Sequence, residues 1–179
     1  AYPDQLLLKR DRLQRTLAPL GAIPDFEIVP LEEPWRYRNK AELTFGESQG
    51  RVLLGYHTAG SFWRIVDLED CLLLPEPVMG ILRDTRRLAE ETGLPVYHPR
   101  THQGFYRYLL VRHSQATGQV LLCALTTPGP RDIIERLARE LMERHPHLAG
   151  VYWGVTSKPA DIAVPEALHL IQGVRYLDD

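Results

Sequence analysis

From residue 63 onward, stretches of period two and period 3.6 alternate in one order: strand, helix, strand, strand, helix, strand. That succession is the split βαβ pattern, an antiparallel sheet with its helices packed on one face. The fold class expected is α+β. The strongest single segment is "PRDIIERLARELMERH", residues 130–145. Ile133, Ile134, Leu137, Ala138, Leu141 and Met142 share one face of a helix that Pro130 opens and Pro146 closes. An earlier helix, from about Pro77, carries Val78, Ile81, Leu82, Thr85, Leu88 and Ala89 at the same spacing and ends at Gly93.

Two hairpins frame these helices. "RNKAELTFG" and "RVLLGYHT" alternate polar and apolar residues and are joined by the turn formers of "GESQG". "FWRIVDLEDC" continues as a third strand. "YRYLLVRHSQATGQVLLCALT" is a second hairpin that turns at "QATG", and "GVYWGVTS" and "ALHLIQG" supply the last strands. Ahead of them all, "YPDQLLLKRDRLQRTLAPLG" predicts a helix with Leu6, Leu13, Leu17 and Leu20 on one stripe and Gly21 as its stop. Leu7 and Leu8 fall off that stripe, so an apolar surface is expected there, to be covered by another domain. The organisation expected is one domain over 1–179: the helix at 1–21, the hairpin region and third strand at 27–70, and an α+β body at 71–179.

At 179 residues, with 44% apolar and 25% charged side chains, the chain has the makeup of a globular domain. No apolar run approaches the roughly 18 residues of a membrane helix. The chain begins "AYPDQ", without an initiator Met or a signal segment, which reads as a piece of a longer chain. Two cysteines, Cys71 and Cys123, form no disulfide framework and suit a reducing cytoplasm. With a net charge of −2, any nucleic-acid contact must come from a local patch.

Several catalytic signatures are missing: GxGxxG, the P-loop, HExxH and GxSxG do not occur. His98 and His102 in "HPRTH" sit four apart, but Pro99 argues against a helix, and a solvated loop pair is the expectation. Arg112 and His113 read as a polar strand end. Cys123 reads as a small buried thiol in an apolar strand. Glu32 with Glu33, and Glu69 with Asp70, occupy ordinary polar positions. Cys71 leaves a strand ahead of a helix, and one cysteine makes no metal site alone.

The remaining feature is basic. If residues 36–44 are extended, Arg36, Arg38, Lys40, Glu42 and Thr44 share one face, while Tyr37, Asn39, Ala41, Leu43 and Phe45 share the other. Trp35 and Tyr37 place aromatics beside the cations, a combination suited to phosphate contact and base stacking. An edge strand guarded by charge fits the same pattern, and the residues alone leave both readings open.

Four stretches resemble the RNA uracil-5-methyltransferases, which use S-adenosylmethionine to form 5-methyluridine in ribosomal and transfer RNA. "YPDQLLLK" is similar to the family's Tyr-x-x-Gln-Leu-x-x-Lys helix start, and "YRNKAELTFG" to its Tyr-Arg-Asn-Lys segment. "RIVDLEDC" resembles the segment holding the last iron–sulfur cysteine, and "YLLVRHSQATGQVLL" the hairpin of the central domain. The resemblance runs from about residue 2 to the mid-170s and implies the central domain alone. It implies a non-catalytic, RNA-positioning part of the enzyme, with ribosomal RNA ranked ahead of transfer RNA. Arg36, Tyr37, Arg38 and Lys40 become its RNA contacts, and Cys71 the fourth ligand of a [4Fe–4S] cluster in the parent. Its other ligands, the S-adenosylmethionine site and the catalytic groups lie in the cysteine-rich and methyltransferase domains, which are not in this chain. A stand-alone RNA-binding or scaffold domain of the same ancestry is the alternative, and the parent gene beyond Asp179 separates the two.

Overall fold

A computed structural model describes residues 1–21, 24–61, 63–159 and 162–178. Its contacts divide into two units, Ala1–Trp35 and Arg36–Asp179.

In the first unit, helix α1 spans Tyr2–Leu17 and a 3-10 turn, Ala18–Leu20, ends at Gly21 with φ 110°. The segment that follows runs back along the helix. Arg10 pairs with Asp25 at 2.7 Å and lies over the Phe26 ring, and the Leu31 amide donates to the Tyr2 hydroxyl at 2.8 Å. The leucine stripe is only half realised as a packing face. No residue of α1 is buried; Leu13 and Leu20 are exposed, and Leu6 and Leu17 half-buried. The off-stripe Leu7 and Leu8 are exposed at 66% and 68%, the apolar surface their spacing announced.

The second unit is a seven-stranded sheet in the order β3-β2-β1-β4-β5-β6-β7. Its strands are β1 (Lys40–Ser48), β2 (Arg51–His57), β3 (Ile65–Asp67), β4 (Tyr106–His113), β5 (Val120–Thr126), β6 (Leu148–Val155) and β7 (Ala167–Gly173). Helix α2 (Glu76–Glu91) lies between β3 and β4, and α3 (Arg131–Arg144) between β5 and β6. Every pairing is antiparallel except β5 with β6, whose parallel register needs the crossover that α3 provides. The class is α+β, as the pattern of periods predicts.

The first hairpin is tighter than its sequence suggests. Strand β1 continues through Ser48, and the turn is only Gln49 and Gly50, both at positive φ (53° and 75°), the conformation of a two-residue hairpin turn. The third strand is shorter than expected: Phe62 lies outside the described residues, and among the described residues of "FWRIVDLEDC" the strand is Ile65–Asp67, at the edge beside β2. Gly55 permits that pairing, since a Cβ there would stand 1.8 Å from the Val66 carbonyl oxygen. The hairpin β1–β2 thereby separates β3 from β4, and the crossover around α3 is the parallel part of the arrangement.

The core lies between the sheet and both helices. Ala41, Leu43 and Phe45 of β1 join Leu109 and Val111 of β4, Leu122 and Ala124 of β5, and Val151 of β6. The helices close over them with Val78, Ile81, Leu82, Leu88 and Ala89, and with Ile134, Leu137, Ala138 and Leu141, the stripes their spacing predicts. Ile133 and Met142 pack at the margin. No helix among the described residues is long and apolar enough to cross a membrane.

Candidate nucleic-acid interface

The basic segment enters the sheet later than its alternation implies. Strand β1 begins at Lys40, and residues 36–39 are irregular. Arg36 sits at φ 57°, in the left-handed region, so the parity that would align it with Arg38 and Lys40 is broken. Its guanidinium donates to the carbonyls of Cys71 (2.8 Å) and Leu74 (2.9 Å) and pairs with Glu76 (3.1 Å) and Asp70 (3.4 Å). Its amide donates to Leu72, and that of Arg38 to Leu73. The expected row of three cations on one strand face is therefore corrected: only Lys40 lies in β1, Arg38 sits in the irregular segment before it, and Arg36 ties residues 71–76 down.

Arg38, half-buried, forms no hydrogen bond or ion pair through its guanidinium among the described residues. Lys40 and Glu42 are paired on the face opposite Ala41 and Leu43. Tyr37 is half-exposed, at 49%.

The sheet adds what the sequence hid. The β1–β4 register sets Arg112 directly opposite Lys40, so two cations from strands far apart in sequence stand side by side. The exposed Arg112 guanidinium has no partner among the described residues either. Arg175, just beyond β7, lines a cavity of about 300 Å³ together with Asn39, Arg112 and His113. Its backbone is fixed by the Tyr152 hydroxyl, which donates to the Arg175 carbonyl at 2.7 Å. Beside this patch the helix-free face of the sheet is apolar. Leu110, Leu121, Cys123, Tyr152 and Leu168 line a second cavity, of about 370 Å³, whose rim is Lys40, Glu42 and Arg112. Pro165 closes one side of it. The arrangement is a cationic edge on an apolar floor, able to hold phosphate at the rim and flat or apolar groups within.

The cysteines differ. Burial pushes the Cys123 thiol up to about 12, the Gly154 backbone hydrogen bond only partly opposing it, so the group stays protonated and is no nucleophile at neutral pH. Cys71 packs at the margin of the core, its amide donating to the Asp70 carboxylate and its carbonyl accepting from Arg36. Among the described residues no three His, Cys, Asp or Glu side chains stand together as a metal site. One thiolate does not hold an iron–sulfur cluster, and the donor set present here does not fit one. His98 and His102 lie in a tight turn, where the His98 amide donates to the Gln103 carbonyl and His102 Nδ1 meets the Tyr97 hydroxyl at 2.9 Å.

No family model matches the chain. An uncharacterized RNA methyltransferase of Halalkalibacterium halodurans is 28% identical over 100% of this chain and 40% of its own length. Another, from Caldanaerobacter subterraneus, is 32% identical over 99% of this chain and again 40% of its own. The chain thus spans about 40% of the length of the curated relatives it matches. Among solved structures, the Pyrococcus abyssi tRNA (uracil-54, C5)-methyltransferase in complex with S-adenosyl-L-homocysteine shares the fold. Its TM-score is 0.71 at 22% identity, over 94% of this chain and 38% of that one. With matches over the whole of this chain to one section of several proteins named RNA methyltransferases, the chain resembles a part of them.

Proposed function

We propose that this chain is the central, RNA-positioning domain of an S-adenosylmethionine-dependent RNA uridine-5-methyltransferase of the cytoplasm. The observation that carries the reading is the β1–β4 register, which sets Lys40 against Arg112 at the rim of an apolar, helix-free sheet face. Arg175, which lines the adjoining cavity with Arg112, extends the cationic edge, and Arg38 stands in the segment that enters β1 two residues before Lys40. Glu42 already offsets the Lys40 charge, so Arg112 is the cation of the two that is open to a phosphate. Tyr37 supplies an exposed aromatic ring beside them. Arg36 contributes indirectly, by fixing the backbone that presents Tyr37 and Arg38.

The methyl donor and the bond-making groups belong to the rest of the parent. Among the described residues there is no glycine-rich strand–turn–helix, and the Cys123 thiol is protonated. The Pyrococcus neighbour, crystallised with S-adenosyl-L-homocysteine, supports that choice of donor. Its name specifies a transfer-RNA uracil, so transfer RNA stands beside ribosomal RNA as a substrate to be assayed. For Cys71, the reading as a cluster ligand applies to the parent alone. Iron and sulfide analysis of the intact parent with and without Cys71→Ser is its test, and equal iron in both ends it.

The domain reading is tested by RNA binding of the parent enzyme across a salt series. Replacing Arg38 and Lys40 by Ala, or Arg112 by Ala, is expected to flatten the dependence of log affinity on log salt by about one for each phosphate no longer neutralised. Parent-catalysed methylation of ribosomal and transfer RNA should fall in parallel at subsaturating RNA. Unchanged slope and affinity in both variants would remove the patch from the RNA interface.

A further inference from the structure

A third cavity, of about 280 Å³, opens where the first hairpin, the segment before β3 and the loop ahead of β4 come together. Thr44, His57, Trp63, Tyr97, His98 and Arg107 are among its walls. Glu47 is a further wall residue, and two arginine–aromatic pairs meet the cavity, Arg107 with Tyr97 in its walls and Arg100, outside the lining, over Trp63. The Arg100 guanidinium lies 4.5 Å from the centre of the Trp63 ring, and that of Arg107 4.1 Å from the Tyr97 ring.

The Tyr97–Arg107 pair is built in. Arg107 is 2% exposed and donates to the Lys158 carbonyl at 2.6 Å. The Tyr97 hydroxyl meets His102 Nδ1, and His102 itself holds φ 56°. Gly104, at φ 114°, lets the loop close, since a Cβ there would stand 2.2 Å from the Val96 carbonyl oxygen. The Trp63–Arg100 pair is open by contrast: Trp63 is 54% exposed and Arg100 is exposed. On the polar side, Thr44 Oγ1 and His57 Nε2 lie 3.3 Å apart.

A ligand for this cavity has a flat ring to stack on Trp63 and an anionic group for a guanidinium. It is also small, since the volume falls just below the roughly 300–1,000 Å³ of small-molecule sites. An unpaired nucleotide meets all three conditions, and unpaired RNA bases are held by such aromatic and guanidinium planes. We propose that this cavity captures one unpaired nucleotide of the RNA, its base stacked on Trp63 and its phosphate on Arg100. The site is separate in its residues from the Lys40–Arg112 patch, and the proposal rests on the RNA-domain reading above.

The test compares a single-stranded RNA oligonucleotide with the same sequence in duplex form, both bound to the full parent enzyme across a salt series. Trp63→Ala should weaken single-strand binding about tenfold with the salt slope unchanged, because stacking releases no counterions. Trp63→Phe should restore most of the affinity, and duplex binding should barely move. Arg100→Gln, a change at an exposed loop residue, should lower the slope by about one; it decides the matter if Trp63→Ala fails to fold by circular dichroism. Wild-type affinity in Trp63→Ala, equal weakening on single strand and duplex, or an unchanged slope in Arg100→Gln overturns the site while leaving the RNA-domain reading in place. If the wild-type parent binds neither probe, the domain reading fails and takes this one with it.

Discussion

The Arg36 guanidinium donates to two carbonyls, those of Cys71 and Leu74, and pairs with Glu76 at the start of α2. Leu74 is buried in the core, so the contact fastens the β1 entry to the body of the domain. Hydrogen bonds from a charged donor each contribute about 1.5–3 kcal/mol at best, and less at a side chain that is 32% exposed. Arg36→Ala is expected to cost about 2 kcal/mol in urea denaturation. Arg36→Gly should cost less, because glycine relieves the positive φ, a strain of about 1 kcal/mol. A neutral Arg36→Ala, or a glycine variant weaker than the alanine one, contradicts this role. In the sequence Arg36 looks identical to Arg38 and Lys40, since alternation carries no information about φ. Lys40 was readable as an outward-facing cation; Arg36 as a fastening was not.

Between elements, Asp84 of α2 meets His145 Nε2, at the end of α3, at 2.8 Å and also accepts from Arg87. Burial works to raise the Asp84 carboxyl, but the hydrogen bonds from His145 and Arg87 outweigh it and hold the group below its ordinary value. A carboxylate depressed by folding stabilises above its unfolded pKa, about 3.9, and that stabilisation is lost as pH falls through the lower folded value. Asp84→Asn should therefore cost about 1–2 kcal/mol at neutral pH. Its deficit should shrink at acid pH, once the wild-type carboxyl is protonated as well. Chemical denaturation at the two pH values checks this, and a pH-independent deficit excludes the ion pair as its cause. The helices themselves were legible because their burial has a single period: all six positions named for α2 are buried. The strand order was not. Hairpins are local and announce themselves, but the β1–β4 pairing joins residues 64 to 72 positions apart, and Arg112 meets Lys40 only there. The Trp63 and Tyr97 pairs were hidden for the same reason, each aromatic meeting an arginine presented by a different turn of chain.

At the scale of the whole molecule, the buried apolar residues all lie at Ala41 or beyond, and none of the described residues before Arg36 is buried. The unit Arg36–Asp179 holds the sheet, both of its helices and the whole core cluster. A chain shortened to residues 36–179 should accordingly unfold in one cooperative step, with a melting temperature within about 4 °C of the full chain, the shift that ~1 kcal/mol produces at this size. A broad or strongly lowered transition would show that α1 and its return segment contribute to that core. Sequence patterning revealed the class of this body well, while the division near residue 35 was invisible to it, because the helical stripe of α1 has the same period whether or not anything covers it.

The non-local β1–β4 junction has one further consequence. Each hairpin can close on its own within microseconds, whereas joining them brings ends together across α2 and must wait for a much larger loop to shut. The two charges opposed at that junction meet only at this late step. A chain in which the two hairpins have closed but not paired lacks the juxtaposition, so the cationic rim exists only where β1 has met β4.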